Sequence, residues 1–164
     1  GGFRRNELVS LDIEDVDFVF EGVKISLKKS KTDQFAEGYV KGIPHFENSL
    51  YCPVNSLKRW IDALKIKQGP IFTRFSKGSK ITRVRLTDQT VALIIKEYLL
   101  KVGIDNKNYS GHSLRSGFAT SAAEAGAEER SIMAITGHKS TEMVRRYIKE
   151  ANLFNNNALN KIKF

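Results

Sequence analysis

One cysteine, Cys52, stands in 164 residues. That excludes an intrachain disulfide framework and a zinc site built from several cysteines, and it fits a reducing, intracellular setting. No apolar run is long enough to span a membrane and no secretory signal is present, so nothing in the sequence argues for membrane insertion or export. The motifs of several enzyme classes are missing too. There is no G-x-S-x-G for a serine hydrolase and no H-E-x-x-H for a zinc protease. The "GG" at the start and "KGSK" at 77–80 lack the spacing of a glycine-rich nucleotide loop. The carboxylates concentrate in residues 12 to 21, away from the histidines, which speaks against a metal centre. No internal repeat and no domain boundary appear.

What remains is a basic globular chain. A hydrophobic fraction of 41% excludes wholesale disorder, and 27 Lys and Arg against 18 Asp and Glu leave a net charge of +9. Such a field selects a polyanion, nucleic acid ahead of an anionic membrane surface. The charge is uneven. Between residues 58 and 85, Lys58, Arg59, Lys65, Lys67, Arg74, Lys77, Lys80, Arg83 and Arg85 face a single acid, Asp62. In "RFSKGSK", Arg and Lys are mixed with Gly, Ser and one aromatic, as suits a loop laid along a phosphate backbone. Arg74, Lys77, Lys80, Arg83 and Arg85 are the DNA-contact candidates. A solvated loop and helix face is the alternative.

The periodicity predicts an α+β fold, mainly helical with a small three-stranded antiparallel sheet at one edge. "RRNELVSLDIEDVDF" reads as a short helix running into a turn. Val23, Ile25 and Leu27 alternate with Lys24, Ser26 and Lys28 as in a half-buried strand, after a hairpin turn at Val19, Glu21 and Gly22. "EGYVKGIPHF" supplies the third strand, with Pro44 at an edge or an end. From Pro53 onward the chain reads as helical. One helix carries Leu57, Trp60, Ile61 and Leu64. A second carries a stripe of Val91, Ile94, Ile95, Tyr98, Leu99 and Val102, with Thr87 as N-cap and Gly103 past its end. "HSLRSGFATSAAEAG" places Leu114, Phe118, Ala122 and Ala123 on one face. A short helix ends at Gly137, and a last one begins at Ser140 or Thr141. In the tail "NNNALNKIKF", Leu159, Ile162 and Phe164 can dock on a neighbouring protomer or fold back on their own core. The chain opens "GGFRRNEL" without Met, and Phe3 and Leu8 read as part of a helix already under way. We therefore expect a portion of a longer protein.

Two residue pairs draw attention. His112 and Arg115 stand at i and i+3 on a first helical turn, where free N–H groups and the positive helix end favour an anion. His138 follows a helix-terminal glycine, and Tyr147 lies nine residues on. Taken singly, each has an ordinary reading: a helix-terminal histidine, a solvated arginine, a core tyrosine.

Taken together they resemble the catalytic domain of the tyrosine recombinase (phage integrase) family. "GFRRNEL" is similar to its first arginine box and assigns Arg4 in preference to Arg5. "HSLR" matches the His-x-x-Arg box at His112 and Arg115, and "GHKSTEMVRRY" the final box at His138 and Tyr147. The family's lysine lies in a strand-to-strand turn, where "KSKTDQ" puts Lys31, with Lys29 as the alternative. The similarity runs over essentially all 164 residues. Thr136 departs from the leucine more usual before Gly-His, an exchange expected to affect packing and not chemistry. The start of the catalytic domain and the separate upstream DNA-binding domain of the family are absent from the sequence.

The resemblance implies site-specific cleavage and rejoining of DNA. Arg4 and Arg115 would clamp the nonbridging phosphate oxygens, which gain charge as the nucleophile arrives. Tyr147 would attack phosphorus, giving a 3′-phosphotyrosine and a free 5′-hydroxyl, so that the bond energy is conserved without ATP. A phenol needs help in losing its proton at neutral pH, and His112 is the implied base. Lys31 would protonate the leaving 5′ oxygen, and His138 would hydrogen-bond a nonbridging oxygen. Glu7 would orient Arg4 or a neighbouring helix, and Lys28 and Lys29 are read as DNA-backbone contacts or solvated charges. The resemblance implies no metal and no other cofactor. The implied partners are double-stranded DNA and three further copies on it, with no membrane and no small-molecule substrate. The implied setting is the cytoplasm and nucleoid of a bacterium, for a mobile element or phage. Type IB topoisomerase-like relaxation and a catalytically silent DNA-binding module are the alternatives.

Overall fold

The computed structural model describes residues 1–28, 38–47, 49–155 and 158–162. The chain packs as two compact units, Arg5–Asn106 and Gly1–Arg4 together with Lys107–Phe164.

The first unit holds helix α1 (Arg5–Ser10), a 3-10 turn (Ile13–Asp15), strands β1 (Val16–Val19), β2 (Gly22–Leu27) and β3 (Tyr39–Pro44), helix α2 (Pro53–Leu64), strands β4 (Thr73–Phe75) and β5 (Ile81–Arg85), and helix α3 (Asp88–Lys101). α1 begins at Arg5, so Phe3 precedes it and is not part of a helix already under way. β1, β2 and β3 form the expected antiparallel sheet, with β2 in the middle and Pro44 closing the edge strand. The alternation read from the sequence orients β2: Val23, Ile25 and Leu27 are buried, and Lys24 and Ser26 are exposed. Gly22 must be glycine, because a Cβ there would overlap the Ile43 carbonyl oxygen on β3.

On β3 the inward position is occupied by Lys41, whose side chain is 0% exposed. Its Nζ lies 3.9 Å from the buried Glu7 carboxylate on α1. Glu7 therefore answers a cation within the sheet.

α2 starts with Pro53 at its first turn, where no N–H is needed, and ends at Lys65 in the left-handed region. Trp60 Nε1 donates to the Ile71 carbonyl at 2.8 Å and the ring lies 6.1 Å from Phe75. Thr87 caps α3 by accepting from Thr90 N. The α3 stripe is covered only in part: Val91, Ile95 and Leu99 are half-buried, whereas Ile94, Tyr98 and Val102 stay exposed.

The chain after Pro53 is not purely helical. β4 and β5 pair antiparallel inside the basic segment, Thr73 opposite Arg85 and Phe75 opposite Ile81. Lys77 and Lys80 stand exposed in the connecting turn, and Arg74 and Arg83 are exposed on the strands. Arg85 is placed differently. It donates to the Val9 carbonyl at 2.7 Å and the Leu11 carbonyl at 3.2 Å, and it pairs with the Asp12 carboxylate. Lys28 bridges Asp12 and Asp15, 3.1 Å from each. Burial pushes the Asp12 carboxyl up, but hydrogen bonds from Arg85 and Lys28 outweigh it and hold the group below its usual range.

The second unit holds α4 (Ser113–Glu124), α5 (Glu129–Thr136), α6 (Thr141–Asn155) and a 3-10 turn (Ala158–Lys161). Its core is Ala119 and Ala123 of α4, Ile132 of α5 and Val144 of α6, with Tyr147 and Ile148 packed against it. The buried face of α4 is Arg115, Ala119 and Ala123, at i, i+4 and i+8, and Leu114 is exposed. The expected face is thus rotated by about one residue. The alanines let α6 approach closely, and Arg115 rides the same stripe inward. Ser140 Oγ accepts from Glu142 N at 3.2 Å and so caps α6. Leu159 and Ile162 in the tail are exposed, and Phe164 lies outside the described residues.

Candidate active site

Arg4, His112, Arg115, His138 and Tyr147 all belong to the second unit. Four of them converge through short links. Arg115 Nη1 donates to the Gly2 carbonyl at 2.7 Å, which fastens the segment ahead of Arg4 to α4. Gly2 has φ +54, and a Cβ there would meet the Phe118 ring at 3.2 Å and the Thr136 methyl at 3.3 Å. Arg4 Nη2 in turn donates to the Gly137 carbonyl at 3.1 Å, beside His138. The His138 and Tyr147 rings lie 6.3 Å apart, and the Tyr147 hydroxyl is 3.2 Å from Ser116 Oγ, next to Arg115.

Why the chain places them so follows from local geometry. α4 carries Arg115 inward on its alanine stripe. α5 ends at Gly137, which is left-handed with φ 63 and folds the chain back so that His138 turns toward α5. His138 Nδ1 then lies 2.7 Å from Thr136 Oγ1. α6 brings Tyr147 to the same place from the face that holds Val144 and Ile148.

The electrostatics are those of an anion site. Burial lowers the His138 pKa, and the charges of Arg115 and then Arg4 lower it further, so the ring favours its neutral form below the usual imidazole range. Each of the two guanidiniums carries five N–H donors in a planar fork, the geometry that suits phosphate oxygens. Such a pair with an imidazole and a phenol beside it can bind a phosphodiester and present a nucleophile to it.

His112 stands apart from these links. It occupies the N-cap position of α4 with its side chain exposed, its N–H donates to Ser110 Oγ, and no hydrogen bond joins its ring to Tyr147 among the described residues. Lys31 and its alternative Lys29 lie outside the described residues. Two contacts escaped the sequence reading. Ser116, which no motif marks, holds the Tyr147 hydroxyl, and Thr136, where the exchange from leucine is expected to affect packing alone, bonds the His138 ring. The signal for both was adjacency: Ser116 follows Arg115, and Thr136 stands two residues before His138.

Among the described residues no group of three or more His, Cys, Asp or Glu could hold a metal ion, and no helix is long and apolar enough to cross a membrane.

The chain is 43% identical over 162 residues to an integrase/recombinase XerD homologue of Selenomonas ruminantium, a match covering 99% of this chain and 48% of that protein. The crystal structure of XerA recombinase superposes with a TM-score of 0.72 at 27% identity, covering 99% of this chain and 54% of the other. The XerH site-specific recombinase bound to its difH substrate shares the fold, with a TM-score of 0.67 at 20% identity over 93% of this chain and 42% of that one. The chain spans about half the length of the curated relatives it matches. The match to the phage integrase family itself runs over residues 1–153 and takes in Arg4, His112, Arg115, His138 and Tyr147, so the chain belongs to the phage integrase family.

Proposed function

We propose that the chain is the catalytic portion of a site-specific DNA recombinase that cleaves and rejoins strands through a 3′-phosphotyrosine. The observation that carries this is that Arg4 is bonded to the Gly137 carbonyl beside His138, whose ring lies 6.3 Å from that of Tyr147, while the Tyr147 hydroxyl is bonded to Ser116, the neighbour of Arg115. The arginines stabilise the charge that grows on the nonbridging oxygens, and His138 offers a third group to the same oxygens. Tyr147 attacks phosphorus and the 5′ oxygen leaves, so one ester replaces another and the broken end stays covalently held. His112 takes the phenolic proton, and Lys31 supplies a proton to the leaving oxygen.

Double-stranded DNA is the partner, in keeping with the DNA-bound XerH structure and with the exposed Arg74, Lys77, Lys80 and Arg83. The working assembly is four protomers on two duplexes, for which the exposed Leu159 and Ile162 supply an apolar contact. The setting is the cytoplasm and nucleoid of a bacterium, for a mobile element or phage.

The test is incubation with a pool of nicked duplexes whose central sequence is randomised, followed by denaturation and recovery of covalent adducts. The expected result is an adduct that survives denaturation, persists in EDTA and is lost in Tyr147→Phe. An adduct retained by Tyr147→Phe would overturn the assignment of the nucleophile.

A further inference from the structure

Thr136 is fully buried and its hydroxyl touches two acceptor-capable groups, the Ile132 carbonyl at 2.7 Å and His138 Nδ1 at 2.7 Å. A hydroxyl has one proton to give. The carbonyl can only accept, so at this distance the Thr136 proton lies on the Ile132 side. The lone pairs of Oγ1 then face the imidazole, and the bond to it requires the proton to sit on Nδ1. The protonation site of the ring is therefore dictated by the hydrogen-bond network of α5, one residue beyond its left-handed glycine.

This leaves Nε2 as the other ring nitrogen, and among the described residues it has no hydrogen-bond partner. In the neutral ring Nε2 carries a lone pair, which repels an anionic phosphate oxygen. In the cationic ring it carries a proton and donates. From the packed elements the titratable or charged groups facing the ring are Arg115 of α4, Arg4 ahead of α1 and Tyr147 of α6, with Lys139 next in the chain. We infer that Thr136 is a positioning residue that locks His138 in its Nδ1–H tautomer, so that the ring donates to a DNA phosphate through Nε2 only after taking up a proton. Burial and the two arginines resist that uptake in the empty site, and a phosphodiester seated between the arginines supplies the negative charge that reverses it. Binding of the scissile phosphate and protonation of His138 are thereby coupled.

The inference rests on the phosphate-binding role proposed above, but its first readout needs no DNA. Long-range proton–nitrogen NMR on the labelled protein distinguishes the two neutral tautomers of each of the three histidines. His138 is expected as Nδ1–H in the native protein and in Thr136→Ser, and to shift to the Nε2–H form usual in water in Thr136→Val, which keeps the side-chain shape. A native His138 with its proton on Nε2, or an unchanged tautomer in Thr136→Val, would overturn the inference. The second readout is covalent adduct formation on the randomised nicked pool against pH. Above the His138 pKa the native protein and Thr136→Ser lose the donor form about tenfold per pH unit. Thr136→Val, able to donate from its neutral ring, declines less steeply, and an alkaline limb as steep as the native one would count against the lock. A protein with the expected tautomers that forms no adduct at any pH would overturn the cleavage function and leave the lock standing.

Discussion

The hydroxyl of Tyr147 is hydrogen-bonded to Ser116, 3.2 Å away, and Ser116 directly follows the buried Arg115 on α4. The residue proposed to attack DNA is thus held beside one arm of the phosphate clamp by a neutral hydroxyl. Ser116→Ala removes that bond and nothing charged. A neutral hydrogen bond contributes about 0.5–1.5 kcal/mol, so adduct formation is expected to change by no more than about tenfold. Measured by the same denaturation-resistant adduct, a loss as complete as that of Tyr147→Phe would show that Ser116 takes part in the chemistry itself.

Arg115 has two duties that different substitutions separate. Its guanidinium binds the Gly2 carbonyl at 2.7 Å while its side chain is buried along α4. Arg115→Lys retains the charge and gives up the planar fork, so the fold is expected to survive with cleavage lowered about 10²–10³-fold, as for the loss of one oxyanion donor. Arg115→Ala also leaves the Gly2 carbonyl without that donor, which adds a stability cost of about 1–3 kcal/mol. Urea unfolding and single-turnover cleavage on the two variants read these effects independently.

Helix signals such as Thr87 and Gly103 were legible in the sequence for a physical reason, because they act within one turn, whereas Arg4, His112, Arg115, His138 and Tyr147 were singled out only by the resemblance of their boxes to a family, each having an ordinary local reading. β4 and β5 were not legible, because Thr73–Phe75 is three residues long and Ile81 and Arg83 are exposed, so no apolar alternation marks them. The inner face of α4 lies one position from the one its apolar residues predict, because Arg115 counts as polar in any periodicity. It is buried by a bond to Gly2, 113 residues away. The Thr136–His138 bond spans only two residues, yet it exists because Gly137 adopts a left-handed turn that swings the ring back.

His138 gives a signed pH effect on stability. Its folded pKa lies below the ordinary imidazole value of 6.5, through burial and the charges of Arg115 and Arg4. Above 6.5 the ring is neutral in both states and contributes no slope. As pH falls below 6.5 the unfolded chain takes up the proton first, so stability declines until the folded ring titrates too and the curve flattens. His138→Gln cannot titrate. The difference in unfolding free energy between native and variant is expected to fall on acidification through this window, by at most about 1.4 kcal/mol per pH unit. Urea titrations between pH 4 and 8 check it, and a flat difference would contradict the burial of the ring among cations.

The Glu7–Lys41 pair tests what anchors α1 to the sheet. Both side chains are nearly inaccessible, 8% and 0% exposed, and Nζ also lies 5.6 Å from the Tyr39 ring centroid. Lys41→Met removes the cation from a buried pair, and breaking such a pair costs about 3–5 kcal/mol. Adding Glu7→Gln removes the opposite charge of the pair as well, so the double variant is expected to lose less than the sum of the two singles. Thermal or urea unfolding of the singles and the double gives the coupling directly, and additive effects would show that the pair is not energetically linked.

Arg85 and Lys77 belong to one basic segment and separate its two roles. Lys77 is exposed in the β4–β5 turn, whereas Arg85 ties β5 to the Val9 and Leu11 carbonyls and to Asp12. Lys77→Ala is expected to leave stability within about 0.5 kcal/mol. If Lys77 neutralises one phosphate, the slope of log K against log salt on duplex DNA becomes shallower by about 0.9, with binding weakened equally across sequences. Lys80→Ala behaves in the same way. Arg85→Ala shows the opposite pattern: it costs about 1–3 kcal/mol of stability, because two carbonyls and a carboxylate lose a donor, while the salt slope of the folded protein is unchanged. Fluorescence anisotropy across a salt series, set beside urea unfolding, measures both quantities on each variant. A salt slope reduced by Arg85→Ala at full stability would return that arginine to the DNA surface.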